Sequence, residues 1–397
     1  MTSSWQSQPI STLAEHRLGK MLDHAKNRGE RKPYLRNLNV RWFEFDLSDV
    51  AEMRFETGEV ERYSVKRGDL VICEGGYPGR AAIWNRDEPV FFQKALHRVR
   101  FHEKAFAKWC LYYLAFQDAT GELRSQFTGT GIQHFTRETL AKFLLPTPPI
   151  HQVRRIVAIL DEAFEGIATA KTNIQESLQN ARELLSSRVD TLFRQSAGWE
   201  QAPLESFTAT ISTGPFGSLL HKSDYVTAGV PLVNPINIVD RSIVPDPNKL
   251  IDDTTKQRLA NYVLQNGDVV VARRGEIGRC AVVGPTEAGW LCGTGCFFIR
   301  LKPTVRPAFI VHMIRSRGYR AQLERLSTGT TMNNISNSAL GALTVAVPSL
   351  SVQDETLELI ERLSDECGLL GAIYDKKLGA LVELKQSMLH QAFRGAL

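Results

Sequence analysis

One ordered set of short motifs occurs twice along the chain. Gly68-Asp69-Leu70-Val71-Ile72 returns as Gly267-Asp268-Val269-Val270-Val271. Further pairs that keep this order are Trp5 and Trp199, Gly79-Arg80 and Gly278-Arg279, Thr128-Gly129-Thr130 and Thr328-Gly329-Thr330, and Phe193-Arg194 and Phe393-Arg394. The separation is 194 positions at the start and 199 to 200 afterwards. Two copies of this size are too few for a solenoid, so the pattern predicts a tandem duplication of one domain with one linker element.

Length and charge limit what this duplication can build. With 397 residues, 43% of them hydrophobic, the chain exceeds one ordinary compact domain and can bury more than one core. The 48 Lys and Arg residues exceed the 43 Asp and Glu residues and give a formal net charge of +5. This charge permits a polyanionic partner without requiring one.

The chain start and the cysteines favour a cytoplasmic protein. Residues 1–13 lack a basic leader and an apolar run, and no stretch approaches the ~20 apolar residues that span a bilayer. Six scattered cysteines without a secretory signal indicate reduced thiols. Cys292 and Cys296 lie close together, but a structural zinc site needs two further ligands, so we expect no metal there.

Each copy predicts a mixed α/β head. The Gly-Asp pair is a turn signal before a β-branched run, and Gly79 or Gly278 then opens a second apolar run, which is the pattern of a hairpin. Strand patterns dominate residues 230–239 and 291–301, whereas residues 309–326 have helical spacing.

A long helix is predicted after each head, beyond proline-marked breaks at 145–149 and 347–350. Apolar residues within 153–192 and 360–388 recur at steps of three and four, the period of an amphipathic helix. Forty helical residues reach ~60 Å. Each apolar stripe needs a partner, and pairing with its own duplicate would give an antiparallel coiled coil that separates the heads. The alternative is that each helix packs only on its own head.

These patterns divide the chain into four segments. They are a first head (1–150), a central long helix (151–197), a second head (198–350) and a C-terminal long helix (351–397). Two similar units in one chain can pack about a pseudo-two-fold axis. A reader built in this way addresses two half-sites on DNA, as symmetric dimers do.

Several motifs together carry a family resemblance. They are the duplicated Gly-Asp turn and Gly-Arg hairpin, the Thr-Gly-Thr segments, the helix junctions at 148–152 and 348–353, and the segments 212–218, 229–233 and 393–397. In these motifs the chain resembles the specificity subunits of Type I restriction-modification systems over essentially its whole length. The first head departs from the pattern, because Glu74–Pro78 replaces the usual basic hairpin tip and nothing in it matches Thr213–Gly217.

The resemblance implies a V-shaped or elongated protein with two target-recognition domains, each of which reads one half of a split double-stranded DNA sequence. The long helices would set the unread gap and dock two modification subunits, which bind S-adenosylmethionine and methylate adenine. Restriction and translocase subunits that use ATP and Mg²⁺ are further expected partners. This chain itself would hold no cofactor.

The sequence lacks the motifs of the corresponding enzymes. Asn234-Pro235-Ile236-Asn237 has neither the second proline nor the ring of an amino-methyltransferase loop, so we interpret it as a strand end with a turn. No glycine-rich cofactor loop follows a strand. Pro245-Asp246 is not followed by an acidic-x-Lys pair and is taken as a loop, and the nine dispersed histidines form no triad. The sequence therefore favours a non-catalytic subunit.

Two sets of side chains are candidates for contacts with DNA, which needs Lys and Arg for phosphates and Arg, Asn, Gln, Ser or Thr for base edges. In the second head they are Arg273, Arg274, Arg279, Thr330, Asn333 and Asn334. In the first head they are Tyr77, Arg80, Thr130, Gln133 and His134, together with a basic cluster that we interpret as a phosphate track: Lys26, Arg28, Arg31, Lys32, Arg36 and Arg41, with the aromatic residues Tyr34 and Trp42 interleaved. The alternative for each charge is a solvated or ion-paired surface residue.

The two hairpin tips differ, since one is basic and the other bears Glu74. We therefore expect two different half-sites and an asymmetric target. Two competing functions stay open: a coiled-coil adaptor without a DNA role, and a fused restriction or modification enzyme. Salt-dependent DNA binding would separate the adaptor from a reader, because displaced counterions make affinity fall steeply with salt.

Overall fold

The structure is a computed structural model that describes residues 5–23, 25–194, 198–216, 219–327, 334–394 and 397. Its contacts divide the chain into two compact units, Met1–Ile174 with Asp375–Leu397 and Gln175–Tyr374. Each unit contains one head and part of both long helices. The four segments predicted from the sequence follow one another along the chain. The boundary between the two compact units, in contrast, falls inside each long helix.

The first head is a mixed α/β domain, as predicted. Its elements are β1 (Ser7–Pro9), α1 (Ile10–Leu13), β2 (Ala14–Leu18), β3 (Glu30–Leu35), β4 (Ala51–Phe55), α2 (Val60–Tyr63), β5 (Ser64–Val65), β6 (Leu70–Cys73), β7 (Ala81–Ile83), β8 (Val90–Phe92), β9 (Leu96–Phe101), α3 (Ala105–Ala119), α4 (Arg137–Lys142) and β10 (Leu144–Pro146). One sheet has the order β2-β9-β6-β7, a second has the order β4-β3-β8-β5, and β1 pairs with β10.

The predicted hairpin is confirmed as β6 and β7. Gly68 precedes it with φ of 93°, a conformation that costs glycine little. Leu70 and Ile72 pack into the core that contains α3, whereas Val71 and Cys73 pack into a second core on the opposite face. Because successive strand side chains point to opposite faces, burial of both faces explains the continuous apolar run.

The second head repeats this construction. Its elements, with the long helices included, are α5 (Ile150–Arg194), β11 (Glu200–Pro203), β12 (Thr208–Thr213), β13 (Tyr225–Val226), β14 (Val230–Val233), β15 (Ile238–Val239), β16 (Ser242–Ile243), β17 (Leu250–Ile251), α6 (Asp253–Arg258), β18 (Val269–Ala272), β19 (Cys280–Val282), β20 (Leu291–Cys292), β21 (Cys296–Leu301), α7 (Pro307–Arg315), α8 (Arg317–Leu326), α9 (Asn337–Gly341), β22 (Thr344–Val347) and α10 (Leu350–Phe393). The sheet order β12-β21-β18-β19 matches that of the first head strand for strand. The duplication read from the sequence is therefore a duplication of fold.

The long helices are continuous over 45 residues in α5 and 44 in α10. In the first unit, Val153 near the start of α5 and Leu389 near the end of α10 enter one core, and Lys385 Nζ lies 4.5 Å from the centre of the Phe164 ring. In the second unit, Phe193 at the end of α5 and Ile360 near the start of α10 enter one core. The two helices therefore run in opposite directions within each unit, and the alternative of a helix packed only on its own head does not hold.

Equivalent aromatic residues fix the helix ends to the heads. In the first unit the rings of Trp109 and Phe393 lie 4.5 Å apart between centroids. In the second unit the rings of Phe309 and Phe193 lie 5.3 Å apart. Trp109 and Phe309 are 200 positions apart, and so are Phe193 and Phe393. The first head therefore packs against the C-terminal end of α10, and the second head packs against the C-terminal end of α5.

The cysteines are free thiols, and all but the half-buried Cys367 are buried. Burial raises the pKa of the Cys73 thiol to about 11 and that of Cys280 to about 12. Cys292 and Cys296 lie on buried strands, as predicted. Among the described residues, no group of three or more His, Cys, Asp or Glu side chains is arranged to hold a metal ion. Within the same residues, no helix combines the length and apolarity needed to cross a membrane.

Candidate nucleic-acid interface

Three segments meet at one end of each head, and we call them together the head tip. They are the hairpin connection (74–79 or 273–278), a short 3-10 turn (Asn37–Asn39 or Pro235–Asn237), and the loop that ends at Phe135 or Ile335. All three are connections between strands or helices, which is where binding residues concentrate on a rigid scaffold.

Two matching arginines join the hairpin to the turn. Arg80 Nη2 donates to the Asn37 carbonyl oxygen at 3.0 Å, and Arg279 Nη1 donates to the Pro235 carbonyl oxygen at 3.3 Å. Arg80 also lies over the exposed Tyr77 ring, 4.1 Å from its centroid. These guanidinium groups are buried or half-buried, so the structure assigns part of their hydrogen-bonding capacity to holding the tip together.

The turn is built in the same way in both heads. The buried side chain of Asn39 accepts from the Arg36 backbone N–H at 2.9 Å and donates to the Asp46 carbonyl at 2.9 Å. Asn237 accepts from Asn234 at 2.8 Å and donates to Val244 at 2.9 Å. A buried amide with satisfied partners gives the turn a fixed shape.

An aliphatic side chain stands at the apex of each turn. Leu38 is 52% exposed and Ile236 is 75% exposed. The segment Asn234–Asn237 is therefore a strand end followed by a turn, as predicted from the sequence.

The loop of the first head is closed by two backbone hydrogen bonds between Thr128 and His134, each 2.9 Å long. Gly129 has φ of 104°, and a Cβ placed on it would lie 2.4 Å from the Ile132 carbonyl oxygen. The loop therefore requires glycine at this position. Thr130 and Gln133, both predicted contacts, are exposed at its apex.

In the second head, Thr330 and Asn333 lie outside the described residues. Asn334 pairs with Arg274 as an isolated antiparallel bridge, and the first head has the matching bridge between Gly75 and His134. The predicted correspondence between the two loops is therefore present in the part of the chain that the structure describes.

The two tips carry opposite charges at one matching position. Glu74 in the first head lies 3.2 Å from His134 Nδ1 through a carboxylate oxygen. Arg273 stands 199 positions later, and its backbone makes the same contact to the loop as that of Glu74. Burial and the adjacent Arg274 lower the pKa of Arg273 below its ordinary value.

The other described arginines of the second tip differ in their ion pairing. Arg279 and Arg320 both form ion pairs with Glu276. Arg274 is exposed and has no ion pair with any described residue. Among the described arginines of this tip, Arg274 is therefore the one whose guanidinium is exposed without an ion pair.

Most of the basic cluster predicted in the first head is internally paired. Lys32 Nζ lies 2.7 Å from Glu30, and Lys26 Nζ lies 3.7 Å from Asp23. Arg28 donates to the Ala25 carbonyl at 2.8 Å, whereas Arg31 is exposed on β3 without an ion pair to a described residue.

The two aromatic residues interleaved in this cluster pack against apolar cores. Tyr34 is a correction to the sequence interpretation, because its side chain is buried among Met53, Phe55 and Phe91 and cannot contact DNA. Trp42 packs against the core that contains α3. Arg36 and Arg41 form ion pairs with Asp49 and Asp46.

The sequence patterns did not identify the residues of the neighbouring strand that bond to the loop end and to the hairpin. His97 Nε2 lies 2.7 Å from the Phe135 carbonyl oxygen, and Arg100 pairs with the aspartate of the Gly-Asp motif. The only available signal was the repeat spacing, because Arg100 and Arg300 stand 200 positions apart.

Each unit thus presents one head tip made from a hairpin, a capped turn and a loop on a mixed α/β scaffold, which defines a protein built from two copies of one domain. A family model described as Type I restriction modification DNA specificity domain matches residues 3–180 and 232–375. The chain belongs to this family. The two matched stretches fall in the two copies of the repeat.

Similar proteins carry the same description. The chain is 20% identical over 371 residues to the Type I restriction enzyme EcoBI specificity subunit of Escherichia coli, covering 86% of this chain and 77% of that protein. It is 24% identical to the StySPI specificity subunit of Salmonella potsdam over 50% of this chain, and 23% identical to the MjaVIII specificity subunit of Methanocaldococcus jannaschii over 61%. The alignments span only 43% and 60% of those two proteins.

Solved structures share the fold. A structure of the type I R-M system, concerned with complex assembly and conformational transition, matches with a TM-score of 0.75 at 17% identity, covering 100% of this chain and 99% of that chain. The crystal structure of the HsdS subunit from Thermoanaerobacter tengcongensis matches with a TM-score of 0.59 at 17% identity, covering 100% and 98%. At this identity the likeness shows the fold alone.

Proposed function

We propose that this chain is the non-catalytic DNA-specificity subunit of a Type I restriction-modification complex and that each head tip reads one half of a bipartite double-stranded DNA site. The observation that carries the proposal is the pair of matching tips with different chemistry. One scaffold places Glu74 in the first tip and Arg273, followed by the exposed cation Arg274, in the second.

Different tip chemistry favours an asymmetric target. Base edges in the major groove differ in their donors and acceptors, so two tips with different side chains prefer different bases. In the first tip, the exposed Thr130 and Gln133 supply polar groups that can donate and accept hydrogen bonds. In the second tip, Arg274 stands where the first tip has Gly75, and it adds a side chain that only donates. A target of two unlike halves follows from this difference.

The long helices would set the gap between the two half-sites. Each is continuous for more than forty residues, which corresponds to roughly 65 Å at about 1.5 Å per residue. A continuous helix changes its length little, so it can act as a ruler between two reading surfaces.

The same helices would dock the catalytic partners. Leu184 on α5 is 63% exposed and Leu384 on α10 is 48% exposed, and the two residues are 200 positions apart in the repeat. Exposed apolar side chains at equivalent positions of a duplicated protein fit two copies of one partner. We assign these positions to two modification subunits, which would bring S-adenosylmethionine.

Chemistry would reside in the partners. Restriction and translocase subunits would bring ATP and Mg²⁺, whereas this chain would hold no cofactor and would act in the cytoplasm, where its DNA target lies. A coiled-coil adaptor without DNA readout, or a fused enzyme, is less consistent with two heads that end in shaped tips.

Mapping methylated adenines in cells with and without the gene tests the proposal. We expect a bipartite asymmetric motif that disappears on deletion and returns with the wild-type gene. Substitutions in one tip should change one half of the motif and leave the other half intact. A palindromic motif, or methylation that persists without the gene, would contradict the proposal.

A further inference from the structure

The two head tips solve one structural problem with different residues. In each head, the last residue of the loop is buried, and its backbone N–H is held by the hairpin: Phe135 donates to the Glu74 carbonyl at 2.7 Å, and Ile335 donates to the Arg273 carbonyl at 3.4 Å. The carbonyl oxygens of Phe135 and Ile335 also need donors, because a buried polar group without a partner is costly. The two heads supply these donors differently.

In the first head the donor comes from the strand next to the hairpin. His97 on β9 is fully buried, and its Nε2 lies 2.7 Å from the Phe135 carbonyl oxygen. A carbonyl only accepts, so Nε2 carries the hydrogen and the ring is held in that tautomer. Glu74 is left free to face His134 on the loop.

In the second head the donor comes from the hairpin itself. Arg273 Nε donates to the Ile335 carbonyl at 2.9 Å. Its guanidinium lies 5.4 Å from the centroid of the Phe216 ring and 5.9 Å from that of Phe297. Phe297 stands 200 positions after His97, so the residue that lacks the donor in this head instead supplies an aromatic surface to the cation.

We infer that His97 and Arg273 are positioning residues, one for each half-site, which fix the end of the reading loop against the hairpin. This inference rests on the proposed function of the tips. Arg273 was a predicted DNA contact, and the inference gives it a positioning role instead. Its Nε hydrogen bond and its aromatic neighbours hold the guanidinium inside the tip. Arg274, exposed at the next position, is then the cation that contacts DNA.

Because the two heads use different donors, the donor of the first head can be introduced into the second head as a rescue experiment. Arg273→Met removes the donor and keeps an extended apolar side chain, and Phe297→His then supplies the donor that the first head uses. Arg274→Ala is the matched control, because it removes a cation one position away without touching the anchor. All variants are prepared in the complete complex with its modification subunits.

Two readouts separate positioning from direct contact. The first is affinity for the mapped DNA target over a range of salt concentrations, where loss of one phosphate contact lowers the slope by ~0.9. We expect Arg273→Met to weaken binding by about tenfold, the effect of one lost charged hydrogen bond, with an unchanged slope. Arg274→Ala should lower the slope, and Phe297→His should restore most of the affinity that Arg273→Met removes.

The second readout is hydrogen exchange of the peptide that contains Ile335, measured without DNA. Exchange should quicken in Arg273→Met, return towards wild type in the double variant, and stay unchanged in Arg274→Ala. The inference is overturned if Arg273→Met lowers the salt slope as Arg274→Ala does, or if Phe297→His restores neither readout. If the wild-type complex shows no sequence-specific binding while exchange follows the expected pattern, the proposed function fails and the anchor stands.

Discussion

Asp69 and Arg100 form a bidentate ion pair in the first head, with Nε and Nη2 each 2.7 Å from a carboxylate oxygen. Asp268 and Arg300 form the same pair in the second head at 2.9 Å for both contacts. The aspartate belongs to the repeated Gly-Asp motif, and its carboxylate is almost fully buried in both heads. The motif therefore does more than mark a turn: it ties the start of the hairpin to the neighbouring strand.

Removal of either arginine should destabilise its own unit. Arg100→Ala or Arg300→Ala leaves a buried carboxylate without its cation, and we expect a loss of about 3 kcal/mol in the free energy of unfolding. Denaturant unfolding monitored by fluorescence measures this loss. Arg67→Ala is the control, because Arg67 and Asp87 form an exposed pair whose removal should cost less than about 1 kcal/mol. Equal effects of the buried and exposed substitutions would refute the assignment.

The local patterns of the sequence were sufficient for the hairpins and the long helices. The β-branched run after Gly68 and the three-and-four spacing after Pro149 act within a few residues or along one helix, so a single sequence displays them. The second sheet of the first head was not predicted, because strands such as β5, with the two residues Ser64–Val65, are too short for a periodic pattern.

Long-range contacts account for the other differences. The stretch 309–326, which was predicted to have helical spacing, forms two helices separated by Ser316. α8 begins at Arg317, whose backbone N–H donates to the buried Asp190 at 2.6 Å. Asp190 lies 127 positions earlier in the sequence. The prediction that Tyr34 belongs to a DNA-contacting cluster was wrong for a related reason. Its burial depends on pairing between β3, β4 and β8.

His97 should make the first unit sensitive to acid. Burial lowers the pKa of His97 from 6.5 to about 4, so the unfolded chain binds a proton more readily than the folded chain between these values. The associated stability is complete above pH 6.5 and is lost as pH falls towards 4, by about 3 kcal/mol in total. His97→Gln keeps a donor and removes the titration.

Unfolding free energies measured between pH 7 and pH 4 test this dependence. The slope between pH 6.5 and 4 should become flatter in His97→Gln than in wild type. The same substitution at the exposed His102 is the matched control. A His97→Gln variant with the wild-type slope would show that His97 does not titrate in this range.

Two glycines at matching positions leave no room for a side chain. A Cβ on Gly19 would lie 2.3 Å from the Gln93 carbonyl oxygen, and a Cβ on Gly214 would lie 2.2 Å from the Gly293 carbonyl oxygen. Because the obstructing atoms are backbone, Gly19→Ala and Gly214→Ala should each cost more than about 2 kcal/mol. Gly166→Ala is the control: it meets no atom within 4 Å inside α5, and it should stabilise by up to about 1 kcal/mol. Thermal unfolding of the three variants measures these opposite effects.

The ruler proposal predicts how the DNA target responds to longer helices. Seven residues inserted after Ile174 and seven after Tyr374 add about 10.5 Å to each helix and keep its faces nearly in phase. This length corresponds to about three base pairs. Methylation mapping should return the same two half-sites with a gap about three base pairs longer. An insertion in only one helix should abolish methylation, because that helix is then about 10.5 Å longer than its antiparallel partner and the heads cannot keep their contacts with both helices. An unchanged gap in the double insertion would refute the ruler.

The docking proposal predicts a graded loss of partners. Leu184→Asp and Leu384→Asp each place a charge in one exposed apolar position, so each single variant should retain one modification subunit and the double variant none. Native mass spectrometry of the purified complex counts the subunits. Gln175→Asp is the matched control, because Gln175 is exposed on α5 nine residues before Leu184, which is about half a turn around the helix. Retention of two modification subunits in the double variant would move the docking site away from these leucines, and loss of both in a single variant would show that the two sites are not independent.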